Sequence, residues 1–95
     1  MLADVVVAEC VYVLESFYQV ERRRIAELIR AAIALPSIKT VDRASLLRAL
    51  EVYEVDRLDF AEAYLVAQAE ATGVDTILTF DRTVDRIATV TRQEP

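Results

Sequence analysis

The chain has no histidine, one cysteine and one glycine among its 95 residues, and each scarcity closes off a class of chemistry. Without histidine, a metal site must be built from oxygen donors, which points to a hard divalent cation. Cys10 has no partner for an internal disulfide, and its apolar neighbours suggest a buried, inert thiol. No stretch reaches the roughly twenty apolar residues of a membrane span, because Glu9, Glu15, Glu27 and Arg30 break the two most apolar regions. Asp4 and Glu9 stand where a signal peptide would carry its basic and apolar segments, so the sequence reads as cytoplasmic. Basic residues are outnumbered 11 to 16, for a net charge of −5. That balance argues against a generally basic nucleic-acid surface. It leaves room for a metal-dependent phosphodiester site, which is itself acidic until its cations bind.

What remains is an apolar, helix-rich chain, 55% hydrophobic, of a length suited to a single domain over residues 1–95. Residues 3–18 read as a helix apolar nearly all round, which implies burial between other elements. Residues 21–35 place Ile25, Leu28, Ile29, Ala32 and Ile33 on one helical face, so the two segments form a helical hairpin. Pro36 and Ser37 end it, and residues 38–41 are short and β-branched, as in a strand. Asp42 caps a third helix with Leu46, Leu47, Leu50 and Tyr53 facing inward, closed by residues 54–57. Asp59 caps a fourth, whose Ala63, Tyr64, Ala67 and Ala71 form a small-residue stripe, and Gly73 falls where its end wants a left-handed residue. Strands follow at residues 76–80 and, more weakly, 88–91. The economical architecture is α/β, a small parallel sheet covered by helices.

Against this apolar background the acids stand out. Glu9 interrupts a run of valines, Asp59 and Glu62 share one turn, and Asp81 ends a strand. Carboxylates at the borders of buried elements need partners to offset their desolvation. In a parallel sheet, ligands bind beyond the carboxyl ends of the strands, where Asp81 lies and where the start of the fourth helix can bring Asp59 and Glu62. Together with Glu9 they form a candidate oxygen-only site for Mg²⁺ or Mn²⁺.

Each residue also has a plainer explanation. Asp59 and Glu62 have the spacing of a capping box, Glu9 fits a paired core carboxylate, and Asp81 fits a turn. Asp85 and the triplet Arg22-Arg23-Arg24 read as solvated. Arg82 and Arg86 are candidate phosphate contacts, or partners of Asp81 and Asp85. Tyr12, Tyr18, Tyr53 and Tyr64 read as packing.

Ala8-Glu9 followed by Val13-Leu14-Glu15-Ser16-Phe17-Tyr18, then Asp59-Phe60-Ala61-Glu62-Ala63, then Thr79-Phe80-Asp81-Arg82, resemble in order and spacing PIN-domain proteins of the VapC toxin type. The resemblance implies a Mg²⁺- or Mn²⁺-dependent endoribonuclease acting on RNA, homodimeric and neutralised by a VapB-type antitoxin. It implies Glu9, Glu62 and Asp81 as catalytic, with Asp59 an accompanying metal ligand. Two departures stand out. Glu62 occupies a place where the family usually has Asp. The family's opening strand with its Asp-Thr/Ser-Asn-like motif has no counterpart, so the chain reads as a PIN domain shortened at its N-terminus. Asp4 is no substitute, since five residues along a helix turn it roughly 140° from Glu9.

Two rival readings remain: a catalytically silent PIN-like module that dimerises and binds an antitoxin, and a helical scaffold whose acids only cap and solvate. In any of them, apolar surface along residues 5–13 and beside residues 77–80 favours a homo-oligomer.

Overall fold

The computed structural model describes residues 2–40 and 42–95. Four helices, α1 (Asp4–Ser16), α2 (Arg22–Ala34), α3 (Arg43–Glu51) and α4 (Phe60–Thr72), precede a two-stranded sheet of β1 (Thr76–Leu78) and β2 (Thr91–Gln93). The strands are parallel, with Thr76, Ile77 and Leu78 opposite Thr91, Arg92 and Gln93. This is a helix-rich α/β fold with a small parallel sheet.

The core lies between α2, α3 and α4. Ile25, Ile29 and Ile33 recur every four residues along α2 and meet Leu46, Ala49 and Leu50 of α3, while Ala63, Val66 and Ala67 of α4 close the layer. Small residues on α4 permit its close approach to α3. Ala26, rather than Leu28, joins the buried face of α2, and Leu28 lies at its exposed edge. Ile77, Val84, Ile87 and Val90 extend the core to the sheet.

Caps set the helix limits as the sequence suggests. The Asp42 carboxylate accepts from the Ser45 backbone N–H at 3.1 Å and from its hydroxyl at 2.7 Å. Asp59 accepts from the Glu62 N–H at 2.9 Å. Gly73 ends α4 at φ +76°, a conformation only glycine adopts freely. Between α3 and α4 the chain winds through a π-helical turn (Val52–Asp56) and then Arg57 at φ +61°.

Several expectations are corrected. α1 is not buried all round: only Val7 and Val11 are, because a single stripe meets the other helices. Val5, Val6, Tyr12 and Val13 face outward, as do Phe17 and Tyr18 beyond the helix. Cys10 is exposed too. Of the four tyrosines, only Tyr53 is fully buried. The strand expected at residues 38–41 is reduced to a single parallel bridge between Leu2 and Thr40, with the Leu2 N–H donating to the Lys39 carbonyl at 2.6 Å; Val41 lies outside the described residues. A strand extends only as far as a neighbour pairs with it, and Leu2 is followed at once by α1. The final strand begins at Thr91, later than residues 88–91 suggest, because Thr91 is where pairing with β1 starts.

Candidate functional site

The chain leaves β1 through a tight turn whose pivot is Thr79, a buried hydroxyl. It donates to Glu62 Oε1 at 3.1 Å and accepts from the Asp81 N–H at 3.1 Å. One side chain therefore ties the first turn of α4 to the carboxyl end of β1. Asp81 starts a 3₁₀ turn (Arg82–Arg86), its Oδ1 accepting from the Thr83 N–H at 2.9 Å and hydroxyl at 2.7 Å.

Asp59, Glu62 and Asp81 thus share a pattern. Each commits one carboxylate oxygen to a local donor. Glu62 Oε2 is buried without any hydrogen-bond partner among the described residues. Burial holds the Glu62 carboxyl above the usual range, against the pull of the Thr79 hydroxyl, and the charges of Asp59 and Asp81 add to the rise. Asp81 moves the other way: the Thr83 hydroxyl and N–H hold it below the usual range, and the charges of Arg86 and Arg92 contribute.

Glu9 is placed elsewhere. It is exposed on α1 and lines an apolar groove with Val6, Val13, Leu14 and Ile29. The carboxylates acting on Glu62 are Asp59 and Asp81, and Glu9 is not one of them. Arg82 is exposed and makes no hydrogen bond among the described residues. Arg86 does not pair with Asp81 or Asp85; it donates to the Asp56 carbonyl at 3.0 Å and supports the π-helical turn. Asp85 binds Arg92 instead, at 3.2 Å.

Thr79, Thr83 and Arg92 hold this arrangement in place, and no single-residue signal marks them in the sequence. Arg92 donates to the Thr79 carbonyl at 3.5 Å while pairing with Asp85 and Glu94. Asp4, which the sequence turns away from Glu9, instead fastens α1 to α4, because the Tyr64 hydroxyl donates to its Oδ2. That bond, with burial, pushes the Tyr64 hydroxyl up to about 12.

Among the described residues, no three His, Cys, Asp or Glu side chains stand close enough to form a metal cage. Mg²⁺ rarely needs one, since it keeps most of its waters and is held through one or two carboxylates together with substrate phosphates. A buried carboxylate oxygen without a partner is costly, and Glu62 Oε2 is such an atom. The donors are oxygens only, the chemistry a hard cation takes.

No curated protein matches the chain, and no solved structure does. The PIN domain family matches residues 1–90, nearly the whole length, and the match agrees with the helix-rich fold around a small parallel sheet. The chain belongs to the PIN domain family, a family of nucleases often found in toxin–antitoxin systems.

Proposed function

We propose that the chain is a Mg²⁺- or Mn²⁺-dependent endoribonuclease of the VapC toxin type, acting at the site of Asp59, Glu62 and Asp81. The observation that carries this reading is the buried, partnerless Glu62 Oε2 beside two further acids, each with one oxygen uncommitted. Glu62 and Asp81 would hold the ion, and Asp59 would add its charge nearby while capping α4. A divalent ion held there would supply an activated water and charge neutralisation for a phosphodiester. Thr79 and Thr83 fix the carboxylates before substrate arrives, so little reorganisation remains to be done during the reaction. Arg82, exposed at the same turn, contacts the RNA phosphate; Arg86 is held by backbone carbonyls and contributes through its charge.

The position of Glu9 favours a second reading, a silent module. A glutamate set in an apolar groove on exposed α1 is suited to meeting another protein, as a second copy of the chain or a VapB-type antitoxin would require.

Metal-dependent cleavage of single-stranded RNA by highly purified protein separates the two. The nuclease reading expects cleavage that Glu62→Gln with Asp81→Asn abolishes. Cleavage that survives both changes removes the assignment to this site, and no cleavage in Mg²⁺ or Mn²⁺ leaves the silent module.

A further inference from the structure

A recess on α1 adjoins the acid site and shares only Asp59 with it. Ala8, Tyr12 and Glu15 follow one another along a single face of α1, and with Val11, Phe60 and Asp59 they line a cavity of about 250 Å³. Its floor is apolar, since Val11 and Phe60 are buried. Tyr12 stands at the rim with 64% of its surface exposed, a face free for stacking. Glu15 is half-buried and lies close to the buried Tyr53 hydroxyl, which burial and the Glu15 carboxylate together hold above its usual range. Asp59 is a wall of this recess and a member of the acid trio, so an occupant here sits next to the candidate scissile position.

The lining selects the occupant. Two carboxylates repel a phosphate and welcome a neutral, donor-rich ring. The volume falls below the several hundred cubic ångströms of a drug-sized site and suits one planar ring system. Proteins that bind single-stranded RNA stack bases on aromatic side chains and read their Watson–Crick edges. An ionised carboxylate only accepts hydrogen bonds. Guanine alone offers it two adjacent donors, N1–H and the 2-amino group. Adenine and cytosine place a ring-nitrogen lone pair beside their amino group, facing the second carboxylate oxygen, and uracil flanks its single N–H with carbonyls.

We infer that this cavity is a nucleobase subsite selective for guanine, with Tyr12 as the stacking face and Glu15 as the acceptor. The inference rests on the ribonuclease reading for its substrate class, and its test needs no cleavage. Guanosine, adenosine, cytidine and uridine 5′-monophosphates are titrated into the full chain in metal-free buffer and followed by backbone amide shifts. The expected result is shifts at Ala8, Tyr12 and Glu15, with guanosine monophosphate bound about tenfold more tightly than adenosine monophosphate. Glu15→Gln should level the two affinities. Tyr12→Ala, at an exposed position, should weaken all four nucleotides alike, and Tyr12→Phe should restore them. Equal binding of the four nucleotides by the native chain overturns the inference, as do shifts confined to other surfaces. Guanine binding without any RNA cleavage in Mg²⁺ leaves the subsite standing and removes the nuclease. Cleavage without guanine preference does the reverse.

Discussion

The Arg22 guanidinium lies over the ring of Tyr53, 4.2 Å from its centroid. The same side chain donates to the backbone carbonyls of Tyr53, at 2.9 Å, and Leu58. One carbonyl lies within the π-helical turn and the other just past the left-handed Arg57, where the α-helical hydrogen-bond ladder has been interrupted. One cation thus supports the backbone that delivers Asp59 to the candidate site.

Arg22→Ala should therefore lower stability by about 3 kcal/mol, combining one cation–π contact with two hydrogen bonds. Arg22→Lys keeps the charge but loses the planar fork and should recover only part. Arg23→Ala and Arg24→Ala, at exposed positions, should stay within about 0.5 kcal/mol. Urea unfolding measures all four, and equal effects across the triplet would refute the role given to Arg22.

Asp59 has two roles that substitution can separate. Asp59→Asn preserves an acceptor for the Glu62 N–H and should change stability by only a few tenths of a kcal/mol, whereas Asp59→Ala should cost about 1 kcal/mol. If Asp59 also supplements the metal, Asn should weaken Mn²⁺ binding as much as Ala does. Thermal melts with and without Mn²⁺ report both effects; full metal affinity in the Asn variant would leave Asp59 a cap alone.

Metal should stabilise the native chain. A ligand binding only the folded state contributes about 1.4 kcal/mol at ten times its dissociation constant. A rise in thermal midpoint with millimolar Mn²⁺, lost in Glu62→Gln, is the expected result. No rise in the native chain would favour a scaffold in which the acids only cap and solvate.

Opposite pKa shifts give opposite pH signatures. The Asp81 carboxyl is lowered in the folded chain, chiefly by Thr83, so its contribution is present above the ordinary carboxylate range and disappears as pH falls through its folded value. Glu70, lowered by its hydrogen bonds from Arg48, behaves alike. Glu62 is raised, chiefly by burial, so its protonated form favours folding and that contribution disappears as pH rises through its raised value. In metal-free buffer, Glu62→Gln should melt above the native chain near neutrality, with the gap closing in acid. Asp81→Asn should melt below it near neutrality, again converging in acid. Parallel curves for both variants would contradict the assigned shifts.

The outward face of α1 should drive association. Val5, Val6 and Val13 form an exposed apolar surface, continued by Phe17 and Tyr18, of a kind monomers seldom leave open. Light scattering across dilution should show a dimer or larger oligomer, and Val6→Asp with Val13→Asp should dissociate or unfold it. A folded 10.7 kDa monomer at micromolar concentration would refute this.

Much of this architecture is legible in the residues. Asp42, Asp59 and Gly73 mark helix limits because capping is local chemistry, and the period of Ile25, Ile29 and Ile33 shows which face of α2 turns inward. Asp59, Glu62 and Asp81 can be grouped from their positions at a helix start and a strand end. The exposure of α1 is not legible, since an apolar helix reads the same whether covered by its own chain or by another. Arg22 hides in a basic triplet because only one of its three positions faces Tyr53. Thr79 and Arg92 act through contacts between β1, β2 and α4, and such contacts leave no periodic trace.

The bridge between Leu2 and Thr40 clasps the α1–α2 hairpin at both ends. Within that clasp α1 contributes only Val7 and Val11 to the core, while α3 and α4 hold each other along most of their length. Because α2 shares its core with α3 and α4 while α1 lends that core only two buried side chains, α1 is the weaker unit, the helix whose local opening costs least. A protein that captures the outward face of α1 would also tighten the weaker unit, and would reach Tyr64 and α4 through the anchoring bond from Asp4.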